Sequence, residues 1–268
     1  MNFKIKFPPK KNKKYIENFF KKKDLHEFIR FSKKREQKIN ELEMQESFKP
    51  ELDDLYRLYQ FIKLNNRTTI LEFGSGWSSL LFALALSELK KEKFSKTKNL
   101  RRNNLFELFV VENEKKYLKK IKKKFMEKKY STFTSKVHFH FSNVKMTNYQ
   151  GNIATEYEKL PLCNPDFIYI DGPGQFNVKG NINGISTRHY DMMPMICDIL
   201  KIEYFLVPGT IIVVDGRTAN AIYLKNNLKR KWQYFIDRKN DQHIFCLRDK
   251  SLGYVNDRLI SFYKSKYI

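Results

Sequence analysis

Only three cysteines stand in the 268 residues, Cys163, Cys197 and Cys246. No two are close enough to make a CxxC pair. Such spacing supplies neither the thiolates of a zinc site nor the framework of a disulfide-stapled fold, and a reducing compartment fits it. Long apolar runs are missing too. The longest, LLFALAL at 80–86, is too short to cross a bilayer. The opening MNFKIKFPPKKNKK has no apolar segment of the signal-peptide kind. A soluble, cytoplasmic protein is expected. Acid is scarce as well, with 29 Asp and Glu against 52 Lys and Arg, a formal charge of +23. That surplus invites nucleic acid or an anionic surface as a partner. Lysine dominates it, whereas readers of base edges rely on arginine forks. Abundant Asn, Ile, Phe and Tyr point to the residue usage of an AT-rich genome. Nucleic acid is thus an alternative partner and not the favoured one.

What is present suits a folded chain. Hydrophobic residues make up 41% and aromatics 15%, too much for a disordered protein, and the length allows one large domain with an extension. Residues 1–50 form that extension. Tyr15, Ile16, Phe19 and Phe20, then Leu25, Phe28 and Ile29 recur at helical spacing, which predicts an amphipathic helix with a basic face. Packing on its own domain is the commoner fate of such a face, with a partner or anionic surface as alternatives. Pro50 marks the junction with a second unit, 51–268.

ELDDLYRLYQFIKL (51–64) reads as a helix leading into the first strand. TILEF (69–73), LFVVE (108–112), VHFHFS (137–142), DFIYID (166–171) and TIIVVD (210–215) are candidate strands, with helical patterns between most of them. This alternation predicts a mostly parallel sheet with helices on both faces. WQYFID (232–237) and HIFCLR (243–248) are too close for a crossover and predict an antiparallel hairpin. The lysine-dense stretch 90–104 has no apolar period and reads as an exposed insertion. In 115–129, Tyr117, Leu118, Ile121 and Phe125 share one side, which predicts an amphipathic helix with a solvated basic face.

The sharpest local signal is LEFGSGWSSL at 71–80. Gly74 and Gly76 permit a tight turn and close approach of a ligand to the backbone. A dinucleotide fingerprint would carry a third glycine at position 79; Ser79 stands there. Glu72, just before the turn, would repel a pyrophosphate and welcome an ammonium or sulfonium. Glu112 ends the second strand, where two carboxylate oxygens match the two hydroxyls of a ribose.

These residues resemble motif I of class I S-adenosylmethionine-dependent methyltransferases. FVVENEKKY, FSNVKMTNY, DFIYIDGPG and PGTIIVVDGR agree with later motifs of that superfamily in order, over roughly residues 51–250. The resemblance implies an α/β, Rossmann-like doubly wound sheet of seven strands, order 3-2-1-4-5-7-6, with the last strand antiparallel. It also implies S-adenosylmethionine as cofactor. Gly74, Ser75, Gly76, Trp77 and Ser78 would surround its methionine part, Glu112 with Asn113 beside it would hold the ribose, and Asn143 would lie near the adenine.

Methyl transfer to a hydroxyl needs alignment and a base. Asp171 is the first candidate, to position the cofactor or accept a proton; hydrogen bonding to its own loop is the alternative. Asp215 is similarly placed, and Arg217 either pairs with it or grips an acidic acceptor. Catechol-type relatives with a metal carry Asp-Asn where this chain has Asp215-Gly216, so no metal is expected. Strand four ends in DGPG, without the paired prolines of base-amino methylation. Residues 172–191 read as a substrate loop or lid ending in Arg188, His189 and Tyr190. His189 is a candidate base, with a surface role as the alternative. His138 and His140 alternate along one strand and read as solvent-facing. The expected function is O-methylation of a small or carbohydrate-like acceptor. An RNA methyltransferase and a non-catalytic cofactor-binding adaptor are the alternatives.

Overall fold

The computed structural model describes residues 3–33 and 49–265. Thr69–Phe73 (β1), Glu107–Glu112 (β2), Lys136–Phe141 (β3), Phe167–Ile170 (β6), Ile211–Asp215 (β8), Trp232–Asp237 (β9) and Gln242–Leu247 (β10) form one sheet, in the order β3-β2-β1-β6-β8-β10-β9. Counting these seven along the chain gives 3-2-1-4-5-7-6. Only the last, β10, runs antiparallel to its neighbours β8 and β9. The strand order, the direction of the last strand and the hairpin are those expected from the sequence.

Central strands are buried on both faces, so they read as unbroken apolar runs. Alternate residues still serve opposite cores. Ile70, Leu108, Phe167, Ile211 and Val213 face one core, while Leu71, Phe109, Ile168, Ile212 and Val214 face the other. The first core is covered by Leu52–Leu64 (α3), Trp77–Lys93 (α4), Lys115–Phe125 (α5), Tyr254–Lys264 (α8) and the N-terminal segment. α5 ends at Phe125, earlier than the lysine-rich pattern implies.

The N-terminal segment holds two helices, Lys13–Lys22 (α1) and His26–Ser32 (α2), where the periodicity suggests one. The break falls at Asp24, whose φ is +56°. It lets Phe20 and Phe28, both fully buried, enter one cluster with α3 and α4. Phe28 meets the Trp77 ring at a centroid distance of 4.8 Å. The segment thus packs on its own chain. The boundary expected at residue 50 borders residues 34–48, which lie outside the described residues.

The second core is covered differently from the helical expectation. Val144–Tyr149 (β4), Asn152–Tyr157 (β5) and Val178–Lys179 (β7) make a small sheet, order β5-β4-β7. Gln150 and Gly151 both take positive φ, as a two-residue hairpin turn demands. Asp198–Ile202 (α6) and Thr218–Asn227 (α7) complete this layer.

At the sheet's N-terminal edge the Asp166 carboxylate accepts from Thr68 N and Thr69 N (3.0 Å each), Thr68 Oγ1 (2.8 Å) and Tyr263 Oη (3.1 Å). Beside it the buried Arg67 guanidinium lies 3.9 Å from the Tyr263 ring centroid and 4.9 Å from that of Phe3. Among the described residues no helix is long and apolar enough to cross a membrane.

Candidate functional site

β1, β2, β6 and β8 end at the same edge of the sheet, where ligands of doubly wound folds bind. Two backbone turns meet there. Gly74, after β1, has φ +103° and donates its N–H to Val111 O (2.9 Å), while Asp171 N donates to Phe73 O (3.0 Å). Gly172 lies against the first turn so closely that a Cβ on it would stand 2.7 Å from Gly74 N and 2.9 Å from Phe73 C. Only glycine fits there. The sequence reading passed over Gly172, since nothing in DGPG says which backbone it faces.

The acids of the turn are enclosed. Glu72 is 1% exposed. Its Oε1 accepts from Ser78 Oγ (2.5 Å), and its Oε2 has no hydrogen-bond partner. Burial pushes its carboxyl up to about 8, against the pull of the Ser78 and Ser79 hydroxyls. Glu112 accepts from Ser75 Oγ (2.6 Å) and from Glu114 N (2.9 Å). Burial raises it to about 7, with the same hydrogen bonds opposing. A buried carboxylate with an unfilled oxygen is costly, and a cationic or N–H-bearing ligand would relieve it.

Trp77 and Ser78 open α4 directly behind Gly76, and Trp77 is packed between Phe28 and Phe31 of α2 (4.8 and 5.2 Å). Asn113 uses its amide on the loop after β6, accepting from Gly174 N (3.0 Å). It ties β2 to that loop. Asn143 follows β3 and donates to Glu158 Oε2 (2.8 Å).

Asp171, next after β6, is open over 59% of its side-chain surface. Desolvation by the surrounding protein lifts its carboxyl to about 6, and Arg217 pulls the other way. Water on the open side limits that lift. Arg217 binds the Asp171 residue and not Asp215, the ion pair the sequence suggested. Its Nη2 donates to Asp171 O (2.7 Å) and its Nε lies 4.0 Å from Oδ1. Asp215 instead accepts from Tyr169 Oη (2.7 Å) and is raised to about 7 by burial and then by Asp171.

A third acid joins them from α3. Burial first, and Asp215 next, push Asp54 up to about 8. Gln242 Nε2 reaches its Oδ1 at 3.5 Å, and Arg57 Nε fixes the Gln242 carbonyl (3.1 Å). Tyr157 also faces the site unannounced. It is fully buried, its hydroxyl has no partner, and its ring lies 5.2 Å from Phe73.

The loop that follows β6 is held at two points. β7 pairs with β4, and Cys197 N donates to Thr155 O (2.9 Å). Between those anchors Arg188 Nε donates to Val178 O (3.1 Å). His189 is exposed and accepts from Asp191 N at Nδ1 (3.2 Å). Tyr190 is exposed beside Phe176 (5.3 Å). These three side chains engage their own loop. His138 is half-buried where the sequence suggested a solvent-facing ring, stacked on Phe109 (4.5 Å) with Nε2 2.9 Å from Glu107. Among the described residues no three His, Cys, Asp or Glu side chains come together as metal ligands would.

No protein-family model matches the chain, and no curated protein does. Solved structures do. The O-methyltransferase TomG from Streptomyces achromogenes, involved in tomaymycin synthesis and solved with SAM, is 13% identical with a TM-score of 0.40, over 90% of this chain and 92% of its own. Cofactor-bound Rv0187 from MTB is 12% identical with a TM-score of 0.43, over 90% and 99%. The SAH-bound methyltransferase PaMTH1 from Podospora anserina is 14% identical with a TM-score of 0.45, over 90% and 99%. The likeness is one of fold.

Proposed function

We propose that this chain transfers a methyl group from S-adenosylmethionine to a hydroxyl of a small acceptor. The observation that carries the reading is the pair of buried carboxyls, Glu72 and Glu112, on either side of a glycine turn built from closely apposed backbone. A phosphate would hold these carboxyls in their protonated form and gain no cation from them, whereas a cationic ligand favours their ionised form, which disfavours a dinucleotide. When bound, S-adenosylmethionine supplies a methyl carbon activated by a sulfonium.

Glu72 offers its unfilled oxygen to the cationic end of that ligand, and Glu112 offers two oxygens to its ribose diol once Ser75 turns away. Asp171, open to the cleft, takes the acceptor's hydroxyl proton, and Arg217 holds it ionised. Tyr169 orients Asp215 behind it. With Asp54 added, the cleft floor is acidic although the whole chain is basic. This supports a small acceptor over a polyanion such as RNA.

S-adenosylmethionine at about a hundred times its Kd is expected to stabilise the protein by about 2.7 kcal/mol, read as a rise in melting temperature. NAD is expected to give none. A chain indifferent to millimolar S-adenosylmethionine would sink the proposal. Asp171→Asn is expected to keep this thermal shift and lose transfer; unchanged transfer would remove Asp171 from the chemistry.

Ionisation gives a further check. Glu72 and Glu112 are raised to about 8 and about 7, so the unliganded fold keeps protons that the unfolded chain has released by about pH 5. Stability of the free protein therefore falls as pH climbs from about 5 towards 8. A cationic ligand favours the ionised carboxylates. The thermal shift from S-adenosylmethionine should then be larger at about pH 7 than at about pH 6, an interval over which its sulfonium stays charged and its amino group stays mostly protonated. A shift that shrinks over this interval contradicts the assignment of the two acids.

A further inference from the structure

We propose that the pole of the molecule opposite the cleft docks on an anionic phospholipid bilayer. This does not depend on the methyl-transfer reading. The cleft lies where the parallel strands end, so the segments that enter those strands gather at the other pole. They are residues 94–106 before β2, 159–166 before β6, 203–210 before β8 and 228–231 before β9. β10 runs the opposite way and delivers residues 248–258 to the same place.

Hydrogen bonds join these segments into one surface. Arg258 donates to Asn99 O (3.4 Å), Arg102 to Asn164 O, and Asn164 Nδ2 to Phe205 O (2.9 Å). Arg230 donates to Leu206 O and to Asp249 Oδ2 (2.7 Å), and Asn256 Nδ2 donates to Pro208 O (3.3 Å).

Two properties coincide on it. Large apolar side chains stand out into water: Leu162 is 100% exposed, Phe205 76% and Leu252 65%, with Tyr204, Tyr254 and Val255 around them. Cations surround them. Residues 94–106 hold Lys96, Lys98, Arg101 and Arg102 and no acid. Lys229, Lys231 and Lys250 add to these from the neighbouring segments. Two of the acids at this pole are engaged: Glu203 is buried and accepts from Lys229 N, Arg230 N and Trp232 Nε1, and Asp249 pairs with Arg230; Asp257 stands in the same hollow as Lys96 and Arg258.

Single exposed apolar residues are ordinary; a cluster inside a basic rim is the composition of an interfacial binding surface. Aromatic residues suit the headgroup level and lysines the anionic lipid surface. A single-stranded nucleic acid would also be drawn by the charge and would stack on Phe205, Tyr204 and Tyr254. Leu162, Leu252 and Val255 offer it nothing, because they have no π-face and gain only by leaving water. The bilayer uses both halves of the surface. Docked this way, the molecule turns its cleft to the aqueous side.

Sedimentation of the full chain with phosphatidylcholine vesicles, alone or mixed equally with phosphatidylglycerol, tests this. Binding is expected only to the mixed vesicles. It should weaken as salt rises from about 0.1 M to about 0.5 M, because screening shortens the reach of the cations. The double variant Leu162→Ser, Phe205→Ser changes only exposed side chains and should keep the wild-type melting temperature. Its partition onto mixed vesicles should drop about tenfold or more, since a Leu and a Phe no longer leave water. Failure of the wild-type chain to bind mixed vesicles at low salt overturns the proposal. So does a double variant that partitions like wild type. A single-stranded RNA oligonucleotide that binds wild type and displaces the vesicles, and that loses affinity with Phe205→Ser but not with Leu162→Ser, would assign the surface to nucleic acid instead.

Discussion

Glu112→Ala is expected to raise the Kd for S-adenosylmethionine about a hundredfold while leaving the protein folded. The carboxylate is enclosed at the end of β2 with both oxygens engaged, by Ser75 Oγ and Glu114 N. A ribose diol replacing the Ser75 contact would make charge-assisted hydrogen bonds, each contributing about 1.5–3 kcal/mol. Loss of two such bonds at the lower end of that range is about two decades of affinity. Stability moves less because two effects oppose. Alanine leaves the Glu114 N–H without its acceptor, but it also removes a carboxyl whose ionisation burial resists. Glu112→Gln separates shape from charge: an amide oxygen still accepts from Glu114 N, and the affinity should fall part of the way. Isothermal titration of the three proteins reads this directly. An unchanged Kd in Glu112→Ala would remove the ribose assignment and with it half of the case for the cofactor.

Gly172→Ala is expected to cost about 3 kcal/mol of folding stability and to abolish the thermal shift from S-adenosylmethionine. The added carbon would meet Gly74 N at 2.7 Å and Phe73 C at 2.9 Å, and Tyr157 Oη at 2.9 Å. Two of these are main-chain atoms held by the sheet, so no flexible side chain can give way. One of the two turns must shift, and overpacking of this kind costs about 1–3 kcal/mol or more. For a chain of this size that corresponds to a melting temperature lower by roughly 6–12 °C. Gly76→Ala is the internal control. Its φ is 175° and nothing lies within 4 Å of a Cβ there, so its stability should match wild type. If both substitutions behave alike, close apposition of the two turns is not what the site depends on.

The two acids and the glycine turn were legible because they lie within a few residues of strand ends. A strand is read from local alternation and apolar content, and its end then places whatever side chain comes next. β1 is found at the residues its sequence predicts, 69–73, and Glu72 and Gly74 follow from it, as Glu112 follows from the end of β2. Asp54 was not legible. It reaches Asp215 only because α3 packs beside β10, and nothing near residue 54 records a partner far along the chain. Tyr157 and Gly172 were hidden for the same reason.

The small sheet was overlooked for a different reason. VKMTNYQGNIATEY alternates and turns at Gln150-Gly151, a hairpin signal outweighed by the expectation of a helix between parallel strands. Arg188, His189 and Tyr190 were singled out by residue type and by their place at the end of the loop after Asp171, and each is engaged within that loop. For Arg217 the sequence left two readings, a pair with Asp215 or a grip on an acidic acceptor, and the contact with Asp171 was not among them because two strand ends present equivalent aspartates to it.

Arg67 sits at the foot of β1 with Phe3 on one side and Tyr263 on the other. Phe3 and Tyr263 are far apart along the chain, so the charge between them is enclosed only where two distant segments meet. The Asp166 clamp draws on the same meeting, since the Tyr263 hydroxyl is one of its donors. Loosening either aromatic would therefore open the foot of the central strand to water and leave one buried cation without its cover.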